Sequence, residues 1–264
     1  MNQTYSIDKN GTIELQSDDA DIVEITGSDR NDVRLVVDYH LKIEGLTLGD
    51  KEKFEMQVTE RGGNLIIQEK PRNSSFNINL GVMKEDYTIR IEVPQGVNLN
   101  LDGDDDTYEI TNIHGSINVD ADDSEITLNR CQGEEFDFDL DDGELFMDGG
   151  YGLLNIDIDD GEADIRSGQF SRVHVDMDDA DIHLATTLAD DGDYNFSSDD
   201  GSIDFIVLGG GGEIWIDHDE INVSAGSEFE ETRSSEDYNE YRLRGGNARV
   251  RINTDDGDVR LSVQ

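Results

Sequence analysis

Apolar and polar residues alternate in short runs along most of this chain, as in the stretch FDFDLDDGELFMD at residues 136–148. Every second residue there is apolar until an Asp-Asp-Gly break, after which a second alternating run begins. Period-two alternation is typical of β-strands with one buried face, and the break is typical of a tight turn. No helical periodicity is convincing, so the pattern predicts an all-β protein.

The pattern is a repeat, with further copies such as INVDADDSEITL, LNIDIDDGEADI and, near the end of the chain, VRINTDDGDVRL. The leading Asp of each pair recurs at steps of 18, 19, 18, 19, 21 and 56 residues, the last being close to three periods. These leading residues are Asp104, Asp122, Asp141, Asp159, Asp178, Asp199 and Asp255. Two strands and two turns in about 19 residues predict one coil of a β-solenoid, similar to a parallel β-helix. The segment IWIDHDEINV is a degenerate copy, and IELQSDDADIVEI is a further copy near the N-terminus.

Equivalent apolar positions of the copies predict two inward-facing columns of core residues. The column before the turn contains Leu101, Val119, Phe138, Ile156, Val175, Phe196 and Ile252. The column after the turn contains Ile126, Leu145, Ala163, Ile182, Ile203 and Val259. Glycines at the turn are expected to adopt a positive φ, which costs other residues more. They are Gly143, Gly161, Gly201 and Gly257.

The repeats divide the chain into two portions. Apart from that N-terminal copy, residues 1–96 have strand-like runs such as VRLVVDY without the regular repeat, which predicts a β-rich N-terminal cap continuous with the solenoid. Residues 97–264 form the acidic solenoid repeats. A polar insertion at 226–246 replaces one regular coil and is interpreted as a long loop, the segment best placed to contact a specific partner.

Charge separates the two portions and limits the partners. The chain has 63 acidic and 20 basic residues, a net charge of −43, and residues 97–264 alone carry a net charge of −36. Such a field repels nucleic acid and anionic lipid. No run of 18 apolar residues predicts a membrane span, and the N-terminus MNQTYSIDKN shows no signal peptide. The single cysteine, Cys131, excludes an internal disulfide and a thiolate metal cluster.

Three features in a fixed order resemble a bacterial family of adhesin-like domains of unknown biochemical function. A β segment ends in IRIEVPQGVNLNL, turns such as SDDGSI and TDDGDV follow, and the chain stops just after INTDDGDVRLSV. The likeness covers almost the whole chain. It implies a β-solenoid that is exported or associated with the cell envelope, and it supplies no catalytic residues. The family often has Ser or Thr in these turns where this chain has Asp.

Stacked coils would align these carboxylates in ladders. Asp120, Asp139, Asp157 and Asp176 are predicted to form one outward ladder, and the turn aspartates a second. Equivalent residues of successive coils lie about 4.8 Å apart, where like charges repel by roughly 1 kcal/mol in water and about 3–4 kcal/mol at a partly buried surface. Cations, high salt, raised carboxylate pKa values or hydrogen bonds from turn N–H groups would offset this repulsion.

Three interpretations of the carboxylates stay open. One is a solvated acidic face, adapted to high salt. Another is a weak cation ladder, with Ca²⁺ as the cation and no other cofactor expected, although no established calcium motif is present. Its candidate ligands are Asp122, Asp141, Asp142, Asp159, Asp160, Asp178, Asp179, Asp199 and Asp200. The third is a carbohydrate-active enzyme, which the recurrence of the pair in nearly every coil disfavours because no pair is singled out.

The leading functional hypothesis is a non-enzymatic, adhesin-like structural or binding module of the cell envelope. A repeat protein offers a long regular surface, which suits contacts with a polymer or a protein. The predicted partner is therefore a protein or a polysaccharide.

Overall fold

The computed structural model describes residues 1–18, 20–48, 55–70, 78–219 and 221–264, and within them every regular element is a β-strand. None of these residues forms a helix that could cross a membrane. The strands of the first half are β1 (Asn2–Ser6), β2 (Thr12–Asp18), β3 (Ile22–Ser28), β4 (Asp32–Leu48), β5 (Met56–Arg61), β6 (Asn64–Glu69), β7 (Ile78–Pro94), β8 (Asn98–Asp104), β9 (Thr107–Thr111), β10 (Ile117–Asp122) and β11 (Ser124–Asn129). Those of the second half are β12 (Glu135–Asp148), β13 (Tyr151–Thr187), β14 (Asp193–Asp200), β15 (Ile203–Gly209), β16 (Gly212–His218), β17 (Asn222–Ala225), β18 (Phe229–Ser235), β19 (Tyr238–Leu243), β20 (Ala248–Thr254) and β21 (Asp258–Val263).

The central coils stack in parallel and in register, which confirms the predicted β-solenoid. Strand β10 pairs with β8 on one side and with β12 on the other, and β11 pairs with β9 and β12. Val119 therefore lies between Leu101 and Phe138. Strand β12 pairs in the same way with β13, and β13 with β14 and β15.

Both predicted columns form the core of the solenoid. Every residue assigned to them is at most 3% exposed, because the inward side chain of each coil packs on its equivalents above and below. Aromatic residues also pack in this core, as where the rings of Phe196 and Phe205 meet edge to face with centroids 5.4 Å apart. Burial of these apolar columns is the dominant favourable contribution to folding.

The order of stacking differs from the order of the chain at the C-terminal end. The last coil, β20 and β21, pairs with β14 and β15 on one side and with β16 and β17 on the other. The degenerate copy IWIDHDEINV is thus a coil, but it lies outside the last repeat instead of directly on the coil of Asp199. Glu220 of this copy lies outside the described residues.

The N-terminal end has the same arrangement. Strand β2 lies between β6 and β8, and β3 lies between β7 and β9, with parallel pairing throughout. The N-terminal copy IELQSDDADIVEI therefore forms a coil that stacks directly on the one containing β8 and β9. Asp19, in its turn, lies outside the described residues.

Antiparallel strands cover the outer coils at both ends. Strand β4 pairs with β1 and β7, β5 pairs with β6, and β19 lies between β16 and β18. Such cover protects the parallel edges of β6, β7 and β16, on which another chain could otherwise pair.

The insertion at 226–246 is a β-hairpin, β18 and β19, so its interpretation as a long loop was wrong. Phe229, Tyr241 and Leu243 of this polar segment are buried, and β19 bonds to the free edge of β16. This hairpin needs few apolar side chains to form because the edge of β16 supplies the hydrogen-bond partners of its backbone.

The turn glycines adopt the predicted conformation in three of four cases. Gly161, Gly201 and Gly257 have φ values of 132°, 114° and 106°. Gly143 does not have a positive φ, contrary to the prediction, and the strand β12 passes through it unbroken. In two earlier coils the left-handed residue is the second aspartate instead, Asp105 or Asp123, with φ values of 56° and 46°. Aspartate tolerates this conformation better than most residues, so the following position need not be glycine.

We expect Gly161→Ala to lower the free energy of unfolding by about 2–4 kcal/mol, from backbone strain and overpacking together. A Cβ at Gly161 would lie 2.0 Å from the carbonyl oxygen of Gly143 in the neighbouring coil. Urea denaturation measures the change. Gly245→Ala is the matched control, because nothing lies within 4 Å of its Cβ position. Equal midpoints of urea denaturation for the two variants would contradict the close contact between Gly161 and the backbone of Gly143.

Candidate functional site

The first-strand aspartates form the predicted ladder on the solvent side of the central coils. Asp120 is in register with Asp102 and Asp139, and Asp139 with Asp157, all of them exposed. The row ends where Asp176 meets Ser197 of β14. Partial desolvation in the row, and then the charges of Asp120 and Asp157, raise the pKa of Asp139.

The pKa of Asp157 is raised in the same way, by desolvation first and then by the charges of Asp176 and Asp159. Asp178 adds to this effect, whereas His174 opposes it. The charges of neighbouring coils thus contribute to both raised pKa values, after the larger effect of desolvation.

A second ladder follows the turns. Asp142 is in register with Asp160, and Asp179 with Asp200. Loss of hydration, and then the charge of Asp160, raise the pKa of Asp142. Loss of hydration and the charge of Asp179 likewise raise the pKa of Asp200, with smaller effects of Asp256 and Asp199.

One group of three turn carboxylates is close enough to share a cation. Oxygens of Asp122, Asp123 and Asp142, all exposed, lie within 4.8 Å of one another. Asp123 was not among the predicted ligands, although its place in the Asp-Asp pair of its copy is a signal that could have identified it. The other predicted residues, Asp141, Asp159, Asp160, Asp178, Asp179, Asp199 and Asp200, are in no such group within the described part of the chain. Ca²⁺ prefers six to eight oxygen ligands, so three carboxylates would be only part of a site.

The strands after the turn carry a glutamate ladder that the sequence interpretation did not single out. Glu144 is in register with Glu125 and Glu162. Together with Phe146 and Asp164 they line a shallow groove of about 170 Å³. The sequence signal is a glutamate directly after the small turn residue in the copies SEI, GEL and GEA.

Phe146 gives this groove an aromatic surface at a position where neighbouring coils have Thr127 and Asp164. The guanidinium of Arg166 lies 4.9 Å from the centroid of the Phe146 ring and forms an ion pair with Asp164. Cation–π contact and ion pairing thus hold one cationic group within the acidic surface.

Arginines compensate the acids at both ends of the solenoid. The outward row at the C-terminal end reads Asp193, Arg249, Glu213 and Arg242 across neighbouring strands. Arg242 lies 3.6 Å from Glu213. At the other end, Arg90 lies 2.8 Å from Glu24 and 3.1 Å from Asp38.

The exposed carboxylates of residues 102–181, which we call the acidic strip, have little such compensation. Within the strip the described residues form one arginine ion pair, that of Arg166 with Asp164. The strip is therefore a continuous anionic surface between two ends whose charges alternate.

Comparison with known proteins gives a family match over nearly the whole chain. The family described as Toastrack DUF4097 matches residues 10–262. The crystal structure of a candidate cell adhesion protein from Clostridium sporogenes ATCC 15579 is 9% identical with a TM-score of 0.26, covering 100% of this chain and 99% of that one. A candidate adhesin from Bacteroides fragilis NCTC 9343 is 11% identical with a TM-score of 0.49, covering 99% and 96%. No curated protein matches.

We expect NaCl between about 0.1 and 1 M to raise the melting temperature progressively, because it screens the acidic strip in the folded protein more than in the dispersed unfolded chain. Calcium at about 1 mM should add only a modest increment over NaCl of equal ionic strength. Thermal denaturation followed by circular dichroism measures both effects.

A large stabilisation by millimolar calcium would contradict this expectation. If Asp142→Asn removed such an effect and Asp255→Asn did not, the group of Asp122, Asp123 and Asp142 would be a specific calcium site. Asp255 serves as the control because it is a turn aspartate outside that group.

We also expect the protein to be more stable at mildly acidic pH than at pH 8 in low salt. The raised pKa values of Asp139, Asp142, Asp157 and Asp200 mean that the folded chain binds protons that the unfolded chain has already released. Stability should thus rise as the pH falls through the raised values, towards the unfolded pKa of about 4. Melting temperatures between pH 4.5 and 8 test this sign, and a melting temperature that climbs with pH would contradict it.

Proposed function

The chain belongs to the Toastrack DUF4097 family, and from this premise we propose that it is a non-enzymatic, adhesin-like binding module of the cell envelope whose acidic strip contacts the partner. The resemblance of its motifs to adhesin-like domains supports the envelope location. The acidic strip between two compensated ends is the observation that carries the proposal.

The compensated ends show that the fold accepts arginine on outward rows. Arg249 lies between Asp193 and Glu213 on strands with the same parallel pairing as the central coils. Replacing one acid in three by arginine would relieve the repulsion of the acidic strip, which is roughly 1 kcal/mol for each adjacent pair in water. The strip has few such replacements, which supports the proposal that its charge has a use beyond folding.

The carbohydrate-active enzyme is the weaker alternative. Glycosidases need one carboxylate pair that differs from its surroundings in position and protonation. In the acidic strip, the rows of Asp120 and Asp139, of Asp142 and Asp160, and of Glu144 repeat from coil to coil. Uniform rows suit repeated contacts along a polymer or a protein better than one chemical step.

The charge of the acidic strip allows two chemical classes of partner. A protein or polysaccharide with clustered ammonium or guanidinium groups would contact it directly, as Arg166 contacts Asp164 within it. An anionic polysaccharide would need a bridging divalent cation, for which the group of Asp122, Asp123 and Asp142 is the best-placed candidate. Direct contact with cationic groups needs no additional component, and we favour it.

Binding to immobilised polymers tests the proposal. We expect association with chitosan, a cationic polysaccharide, and with polylysine, but not with alginate, an anionic one. The variant Asp120→Asn/Asp139→Asn/Asp157→Asn should lower the association rate at least threefold at low salt, because complementary charge mainly accelerates association. Biolayer interferometry measures the rates.

The matched control is Asp217→Asn/Asp219→Asn/Glu228→Gln, which removes the same charge from exposed positions near the C-terminal end. Equal losses in the two variants would show that net charge acts alone and that the acidic strip is no binding surface. Alginate binding that requires calcium would favour the bridging alternative.

A further inference from the structure

One aspartate of the turn region is buried where other coils have a small residue. Asp106 lies beside Ser124, to whose hydroxyl its backbone N–H donates, and Ser124 is in register with Gly143 of the next coil. Gly143 is in register with Gly161, and the residues at the same place in the later sequence copies are Ala180, Gly201 and Gly257. Only 2% of Asp106 is exposed, so its carboxyl group lies inside the solenoid.

Hydrogen bonds from Asp106 join three coils. One carboxyl oxygen, Oδ1, accepts from the backbone N–H of Ala20 at 2.6 Å and from the hydroxyl of Ser17 at 3.2 Å, both in the coil of β2 and β3. The other oxygen, Oδ2, accepts from the hydroxyl of Tyr108 at 2.8 Å. The backbone N–H of Asp106 donates to the hydroxyl of Ser124 at 3.2 Å.

The surroundings of Asp106 contain no compensating positive charge in the described part of the chain. Strand β9 contributes Tyr108, β2 contributes Ser17, β11 contributes Ser124, and β6 contributes Glu69, which has the same sign. Burial raises the pKa of Asp106 to about 7, although the hydrogen bonds from Tyr108, Ala20 and Ser17 lower it. Glu69 raises it slightly further.

We propose that Asp106 is a pH-dependent clasp that holds the N-terminal coil, β2 and β3, on the rest of the solenoid. The protonated carboxyl is neutral and keeps its three partners, with one hydroxyl rotating to accept its proton. The ionised carboxylate keeps the donors but is a buried charge without a counter-ion, which favours local opening to water. The clasp is therefore tight in mildly acidic solution and loosens above neutral pH.

Native-state hydrogen exchange of the coil of β2 and β3 tests the clasp. After correction for intrinsic rates, we expect protection in β2 and β3 to fall about tenfold between pH 6 and pH 8, relative to β14 in the same sample. The effect should persist in 1 M NaCl, because salt screens the exposed ladders but not a buried carboxyl. Equal protection at the two pH values would overturn the proposal.

Three variants make the test specific. Asp106→Asn has nearly the same shape without the charge, so the pH dependence of protection should disappear. Asp105→Asn, the control, removes the exposed acid next to it and should keep the dependence; asparagine also tolerates the φ of 56° at that position. Tyr108→Phe removes a hydrogen-bond donor to the carboxylate, so the midpoint of the pH dependence of protection should move to higher pH. This measurement tests the proposal even if Asp106→Asn does not fold. A pH dependence that survives Asp106→Asn, or a midpoint unchanged by Tyr108→Phe, would overturn the assignment to Asp106.

Discussion

In-register parallel stacking is the constraint on which the rest of this structure depends. Each residue lies about 4.8 Å from its equivalents in the neighbouring coils, so every feature of one repeat is multiplied along the solenoid. Inside, this multiplication is favourable because Val119 lies between Leu101 and Phe138 in a continuous apolar column. Outside, it places Asp120 between Asp102 and Asp139, and like charges repel along the whole row.

The protein relieves this repulsion differently in different places. Backbone N–H groups donate hydrogen bonds to individual aspartates and stabilise their charge, as where the N–H of Ser202 donates to Asp181 at 2.8 Å. Arginines alternate with acids at the two ends. In the acidic strip most carboxylates have neither a backbone donor nor an arginine, and several have raised pKa values. The binding of protons and cations to the strip is therefore coupled to folding. Because the same surface is the proposed contact surface, a cationic partner would also stabilise the fold.

The two ends solve a second problem of parallel stacking, which is that a solenoid has two open edges. At the N-terminal end the first coil is covered by a coil that follows it in the chain, so β2 lies between β6 and β8. At the C-terminal end the last coil is covered by a coil that precedes it, so β20 lies between β14 and β16. Separating the first or last coil from the rest therefore requires breaking pairings on two sides. The clasp at Asp106 lies at one of these insertions, where its partners Ser17 and Ala20 belong to the inserted coil.

The sequence by itself determined the coil, its two core columns and the outward ladder, because period-two alternation fixes which side chains face inward and a period near 19 residues fixes which ones become neighbours. It did not determine the stacking order, since the copies have nearly equivalent edges and only non-local pairing decides which edge meets which. The hairpin of β18 and β19 was missed for a related reason: its backbone partners come from β16 and not from its own pattern. In the stretch DGDDDTYEI, Asp106 looks like another exposed acid of the turn. The one sequence signal that it differs is that the other copies have a small residue at its position. Its burial was decided by the tertiary structure, because the donors of Ser17 and Ala20 reach it only after the N-terminal coil has stacked on its own.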